Sequence, residues 1–552
     1  MNKLITLEPK VLEIIQKLND RGNLCLIVGG AVRDAFLGIE PKDIDIEVYK
    51  INYNDLMEFL SQYGRVDLVG KKFGVIAFNP KGCELKYDFS IPRMENKVGI
   101  GHTEFEITFD ENISIMDAAQ RRDTTFNSLA YNPIDNHVYD YFGGLDDLHN
   151  KIIRHTSVKF KEDYLRIARL QQFQSRLDFE IHPSTIDIIK EMLLNNNEFN
   201  LLSKERLYEE WIKWAEKGVR HDNVFQFMRD TNLIDFYPEL KALKETPQDT
   251  IYHPEGDTEI HTCLCLKRMD KVIEENNITG TEKIILVMSC LLHDIAKPHT
   301  SKLEMKRGRM TITSNGHEEL GGVVAKEFLE KIGFHEALIT PICNLVANHL
   351  AGVNISMIPA LSGKTKAVKK LSRKLHPANI QQLLFLMDAD TNGRGSDEIK
   401  EPTGAKDIKE IASQITVVTK QYEYLLMGRH LIAEGLKPSN QFAIILKDSY
   451  DAQENGLFNN IEGAVKWLKE YLKNKEDGIE YTPSGLLSKS TNKSKYFIAY
   501  SLSAILIFII ALIVSKICFN LIDSLWFSVP MTFLALNIFG NPILDHIKQK
   551  YK

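Results

Sequence analysis

The stretch Val28-Gly29-Gly30-Ala31-Val32-Arg33-Asp34, then Leu37-Gly38, then Pro41-Lys42-Asp43-Ile44-Asp45-Ile46-Glu47-Val48, decides how the chain is read. Residues 24–28 form a short apolar run, and two glycines separate it from a helix-like segment at 31–37. Gly38 stops that segment. Residues 43–48 then alternate acid with aliphatic, the period-two pattern of a strand with one buried face. Asp43 and Asp45 lie two apart on this strand, so both carboxylates project from its polar side. Paired carboxylates suit the binding of two hard divalent cations, as phosphoryl or nucleotidyl transfer requires. Gly29 and Gly30 let backbone N–H groups approach phosphate oxygens at a helix start, and Arg33 adds a fixed cation there. A strand Asp-x-Asp alone is common surface decoration; the glycine turn before it makes the pair a candidate site.

Outward from this stretch, residues 8–20 place Val11, Ile14, Ile15 and Leu18 at helical spacing. Mixed strand and helix signals run to about residue 150. Helical periodicity follows through 480, with loop breaks near 250–258, 300–316 and 391–403, and no internal repeat is present. The 552 residues exceed one core, which predicts several domains. A composition 44% apolar and 26% charged excludes a disordered chain. The net charge of −6 speaks against a uniformly basic nucleic-acid binder and leaves a local basic groove open. Seven scattered cysteines without a C-x-x-C pair read as reduced thiols of a cytosolic protein, and residues 1–10 lack the apolar core of a signal peptide.

The run from Val28 to Asp45 resembles the signature of class II tRNA nucleotidyltransferases and bacterial poly(A) polymerases, within the polymerase-β-like superfamily. The resemblance implies that Gly29, Gly30 and Arg33 contact the incoming nucleotide and that Asp43 and Asp45 hold Mg²⁺. Asp88, in Lys86-Tyr-Asp-Phe-Ser, stands where such enzymes often keep a third acid; a solvated strand acid is the alternative. Arg121-Arg122-Asp123-Thr-Thr-Phe-Asn127 is similar to the family's next block, with Arg122 implied in nucleotide binding. Glu162-Asp163-Tyr-Leu-Arg166-Ile-Ala-Arg169 resembles the base-reading motif of its neck helix, which also implicates Arg169. Asp163 and Arg166, three apart, are expected on one helix face, offering an acceptor beside a donor. The base edges of cytosine and adenine complement that order; guanine and uracil reverse it. Gln172 replaces the family's third arginine, which removes a cation expected near the nucleotide.

Downstream, His261, His293-Asp294, His317, His349 and Asp390 resemble the ligand set of the HD phosphohydrolase superfamily. The resemblance implies a divalent cation such as Mg²⁺, Mn²⁺ or Ni²⁺ on His261, His293, Asp294 and Asp390. His317 and His349 would hold a second metal or a phosphate. In related CCA enzymes such a segment is associated with phosphatase and 2′,3′-cyclic phosphodiesterase activity on RNA ends. Near the C-terminus, residues 496–514 contain no charge, about the length that crosses roughly 30 Å of hydrocarbon, and a second apolar stretch spans 525–539. Lys489, Lys493 and Lys495 before them, and Lys548, Lys550 and Lys552 after, predict a hairpin with both ends in the cytoplasm.

The expected fold is α+β. A polymerase-β-like head with an antiparallel-type sheet (1–150) precedes an all-α neck (151–248), HD domain (249–412) and tail (413–480) that contacts tRNA. A linker (481–495) and a transmembrane hairpin (496–541) tethering a cytoplasmic enzyme follow. The expected activity is addition of C and A to the tRNA 3′ end from CTP and ATP. Poly(A) or A-only addition, a stand-alone HD hydrolase with an RNA-binding head, and an inactive RNA-binding or membrane scaffold are the alternatives.

Overall fold

The computed structural model describes residues 3–41, 43–67, 74–97, 105–109, 112–194, 197–306, 308–395, 398–476, 479–481 and 487–489. They divide into two compact units, the first ending at Tyr422 and the second beginning at Glu423.

The first unit opens on the helix Pro9–Asp20, which buries Val11, Ile14, Ile15 and Leu18 as its spacing predicts. Cys25–Val28 (β1) is apolar throughout and buried throughout, as a central strand must be. Ile27 joins the main core, and Leu26 and Val28 join a smaller one. Around β1 stand Ile44–Val48 (β2), Gly64–Asp67 (β3), Val75–Pro80 (β4) and Tyr87–Ser90 (β5). Arg93–Lys97 (β6) and Phe105–Phe109 (β7) form a separate antiparallel pair, and Ala130–Tyr131 (β8) and Val138–Tyr139 (β9) complete the sheet. The strand order is β3-β4-β5-β2-β1-β8-β9.

This sheet is mixed, which corrects the antiparallel expectation: β2 runs parallel to β5, and all its other pairings are antiparallel. The helix Tyr53–Ser61 and the β3–β4 hairpin between them supply the long crossover that a parallel pair needs. The parallel register sets Asp45 opposite Asp88. Ile44, Ile46 and Val48 fill the core from β2, and Tyr87 and Phe89 from β5. The intervening acids are thereby left on the opposite face.

From Leu165–Leu177 onward the unit is mainly helical. It shares with the sheet one continuous apolar core that reaches Val417. Trp211 and Trp214 of the helix Lys204–Lys217 are 2% and 1% exposed, and Trp211 meets Phe328 at 6.0 Å. Each such burial stabilises by about 1.5–3 kcal/mol, which ties the neck to the helix His317–Lys331. The expectation of all-α neck and HD segments is corrected in two places. Ile152–Ile153 (β10) pairs in parallel with Glu180–Ile181 (β11). Lys302–Lys306 (β12) and Arg309–Thr313 (β13) form an antiparallel hairpin where a loop is expected. Polar and apolar residues alternate along both strands, as a strand with two unlike faces requires.

The second unit packs the helices Gly428–Ala433, Asn440–Glu454 and Ile461–Glu476 around Leu426, Leu431, Ile445, Phe458 and Leu468. Ile479–Tyr481 (β14) and Leu487–Lys489 (β15) pair antiparallel, which places strands at the end of the expected helical tail and in the expected linker. Among the described residues no helix is long and apolar enough to cross a membrane. The hydrophobic stretch 496–541 lies outside the described residues.

Candidate active sites

At the head site the strand alternation delivers three acids to one face. Asp43 immediately precedes β2, Asp45 lies within it, and Asp88 sits opposite Asp45 on β5; all three are exposed. Although its side chain reaches the surface, the atoms packed around Asp45 strip part of its solvent and raise its pKa; Arg122 opposes that rise, while Asp88, Glu47 and Asp43 add to it. Burial and then Asp43 raise that of Asp88. Three mutually repelling carboxyls are a donor set that fits hard cations. Gly29 closes β1 beside Asp45 with φ +72°, a conformation that side chains disfavour. A Cβ there would stand 3.4 Å from Arg122 Nη1 and 3.9 Å from Asp45 Oδ2. The turn therefore stays open toward the acids. Gly30 starts the helix Gly30–Phe36, where a Cβ would meet Arg33 Nη2 at 3.3 Å.

Arg122 donates to Glu47 at 2.9 Å, on the acid side of the sheet. Asp123 faces the neck: Arg169 donates to it at 2.7 Å and Asn127 at 2.8 Å. Burial pushes the Asp123 pKa up, but Arg169 and these hydrogen bonds outweigh it and bring it to about 2. Arg33 is buried rather than presented to the acids, donating to Asn127 and Asp34 at 2.8 Å each. Its guanidinium lies 5.4 Å from the Phe173 ring centre, and that of Arg169 lies 5.6 Å from it.

The expected Asp163–Arg166 helix face requires correction. The helix begins at Leu165, and Asp163 precedes it with extended backbone (φ −133°), accepting the Leu165 N–H at 3.0 Å. An Asp that captures a backbone N–H at a helix start stays outside the helix. Arg206 donates to Asp163 at 2.6 Å. Arg166 donates to the carbonyls of Lys159 and Arg121 at 2.6 and 2.7 Å. Arg206 was invisible to motif reading because it lies 43 residues from Asp163. Gln172 is 2% exposed inside the neck helix.

The second site gathers every histidine and aspartate expected of it. His261 lies on the helix Thr258–Glu275, His293-Asp294 follow Gly280–Leu292, His317 begins His317–Lys331, His349 follows Glu336–Val346, and Asp390 lies on Ile380–Asn392. His261 Nε2 is 3.4 Å from His293 Nε2 and 3.2 Å from Asp390. His317 Nε2 is 3.2 Å from both His349 Nε2 and Asp294. His293 is 3.3 Å from Asp294. Each imidazole also has Nδ1 against an acceptor: Glu255 for His261 at 2.8 Å, and the carbonyls of Cys290, Ser314 and Val346 for His293, His317 and His349 at 2.8, 2.6 and 2.7 Å. Those contacts fix the proton on Nδ1 and turn the Nε2 lone pairs inward. Facing lone pairs among buried carboxylates fit a divalent cation. Burial, with His317 and His293 beside it, pushes the His349 pKa down to about 3. Asp390 is held below its usual range by His261 despite its burial.

Sequence reasoning missed three contributors here. Glu255 orients His261 and, hydrogen-bonded by both His253 and His261, has its pKa brought to about 2 against the effect of burial. Lys297 lies 2.6 Å from Asp294 and donates to Gln248 at 2.6 Å. Cys265 Sγ is 3.4 Å from His261 Nε2, with burial raising its pKa well above the thiol range. Lys297 and Cys265 carried a spacing signal, at i,i+3 from Asp294 and i,i+4 from His261, and Glu255 carried none. A cavity of about 800 Å³ opens onto this cluster, and β12 and β13 contribute to its wall.

Known proteins share both halves. Residues 25–154 match the poly A polymerase head domain and residues 258–393 the HD domain. The multifunctional CCA protein of Pasteurella multocida is 31% identical over 390 residues, covering 68% of this chain and 86% of that protein. That of Hahella chejuensis is 28% identical over 441 residues, covering 78% and 97%. The fold is similar to that of the Bacillus stearothermophilus CCA-adding enzyme solved with CTP, at a TM-score of 0.55 and 19% identity over 85% of this chain and 100% of that one. By its likeness to these relatives over most of their length, the chain belongs to the family of multifunctional CCA proteins.

Proposed function

We propose that this chain adds C and A nucleotides to the 3′ end of tRNA from CTP and ATP, releasing pyrophosphate, and that its HD centre hydrolyses phosphate esters at RNA ends. The observation that carries the reading is the convergence of Asp43, Asp45 and Asp88 beside the Gly29 turn and Arg122. Mg²⁺ on Asp43 and Asp45 would supply Lewis-acid activation of the RNA 3′-hydroxyl and neutralise the triphosphate. Arg122 faces the same acids and is poised to hold phosphate charge. Arg33, already fixed by Asp34 and Asn127, aligns the helix that follows the glycines. At the HD centre, His261, His293, Asp294 and Asp390 would hold a divalent cation that activates water, with His317 and His349 on a second cation or the scissile phosphate.

The reading is tested with tRNA lacking its last three nucleotides. CTP alone should give two additions, and CTP with ATP three. Extension by ATP alone, with none by CTP, would instead make the chain a purely adenylating enzyme. Gln172, which stands where the family keeps an arginine, is the departure that makes the comparison of CTP with ATP informative.

Asp163 supplies the acceptor for the base edge and Arg166 the donor, with Arg206 holding Asp163 in place. Asp163→Ala is expected to lower kcat/KM for CTP and ATP by about tenfold or more, the scale of a lost hydrogen bond to a charged group. UTP and GTP should be affected less. Equal losses for all four nucleotides would remove Asp163 from base selection.

The charge-free composition of residues 496–514 and the lysines flanking 496–541 support membrane anchoring of the enzyme by that segment. Carbonate extraction of native membranes should leave the full chain in the pellet; its release would exclude a spanning anchor.

A further inference from the structure

A hairpin that closes an ordinary core turns its apolar side inward. The β12–β13 hairpin does the reverse. Leu303, Met305 and Met310 are 62%, 66% and 50% exposed, while Thr311 and Thr313 are 8% exposed. Lys306 pairs with Arg309 in the strand register, and both line the cavity of the HD centre. The polar face thus looks onto the cavity that the imidazoles open into. Leaving three large apolar side chains in water is unfavourable, so the inward face is matched to something polar.

The charges on that face point to an anion. Glu304 is neutralised within the hairpin, with Lys302 at 2.6 Å and Thr313 donating at 2.9 Å. Lys306 lies 4.0 Å from Glu304. Arg309 pairs with Asp249 at 3.0 Å, and both residues line the cavity, so the guanidinium is oriented at its wall. At about 800 Å³ the cavity lies in the upper part of the range for whole small ligands, so it exceeds what one phosphate group needs.

We propose that Lys306 and Arg309 bind the phosphodiester on the 5′ side of the terminal nucleotide, so that the HD centre selects RNA chain ends over mononucleotides. This rests on the hydrolytic reading of that centre. It adds a specificity element that the metal cluster does not contain.

The full-length protein with Ni²⁺ is given two probes: 2′,3′-cyclic AMP, and a trinucleotide ending in a 2′,3′-cyclic phosphate. The wild type should show the higher kcat/KM on the trinucleotide. Lys306→Ala and Arg309→Ala should each reduce the trinucleotide-to-mononucleotide ratio by about tenfold, the effect of one charged hydrogen bond. Raising the salt should erode the wild-type preference more steeply than that of either variant. An unchanged ratio in both variants overturns the proposal. A readout without turnover separates it from the hydrolytic reading. In EDTA, a 3′-phosphorylated trinucleotide with 4-thiouridine at its penultimate position is photo-crosslinked and the site mapped by mass spectrometry. Crosslinks on the hairpin peptide, lost in Lys306→Ala with Arg309→Ala, support the clamp even if neither probe is hydrolysed; crosslinks found only elsewhere overturn it.

Discussion

Replacing Asp45 by alanine is expected to reduce nucleotide addition by on the order of a thousandfold or more, the loss typical of removing a group that acts on transition-state charge. The physical reason is that Asp45 lies opposite Asp88 in the strand register and feels the charges of both Asp88 and Asp43, so its loss breaks up the three-acid set. Misfolding is separable from this effect. The Asp45 pKa is raised on folding, so at neutral pH its charge is worse accommodated in the folded protein than in the unfolded chain. Deleting that charge should leave the melting temperature unchanged or higher. Hydrolysis of 2′,3′-cyclic AMP, assigned to the other site, should persist. Radiolabelled CTP incorporation, a thermal melt and the hydrolysis assay on one preparation check all three; wild-type incorporation by the variant would remove Asp45 from the reaction.

His293→Ala is expected to produce the converse. His293 lies within 3.4 Å of His261 and 3.3 Å of Asp294, so its loss opens the centre of the cluster. Removing even an outer partner of a metal ligand commonly costs 10–100-fold, so loss of the imidazole should cost roughly a hundredfold or more in metal-dependent hydrolysis. CTP and ATP incorporation should stay within about twofold, because distant sites without shared partners behave independently. Unchanged hydrolysis by the variant would mean that the HD cluster is not the hydrolytic site.

The sequence is most legible where the physics is local. Alternation in 43–48 sufficed to place Asp43 and Asp45 on one polar face, because a strand enforces that face within three residues. Asp88 was ambiguous because its partnership with Asp45 depends on a parallel register created by a long crossover. Asp163 and Arg166 illustrate the opposite limit. Their spacing implied a shared helix face, but the helix starts two residues after Asp163, whose carboxylate is drawn to Arg206 on another helix. Boundaries of that kind turn on one backbone hydrogen bond, which periodicity does not resolve.

The HD centre was legible only as an ordered set resembling a family, since His261 and Asp390 are 129 residues apart. Glu255 escaped notice because acids in loops are ordinary, and its importance comes from the imidazole that folding brings to it. The β12–β13 hairpin escaped because its apolar residues are on the exposed side. Residues 496–541, the clearest compositional departure in the chain, lie outside the described residues.

The central claim is that the acids at the end of β2 hold the divalent cation used in nucleotide addition. Anomalous diffraction from crystals of the protein soaked with Mn²⁺ and CTP tests it directly. The account predicts a manganese peak bonded to Asp43 and Asp45, with the triphosphate on the Gly29 side of it. Nucleotide bound in the crystal with no manganese at those two carboxylates would contradict it.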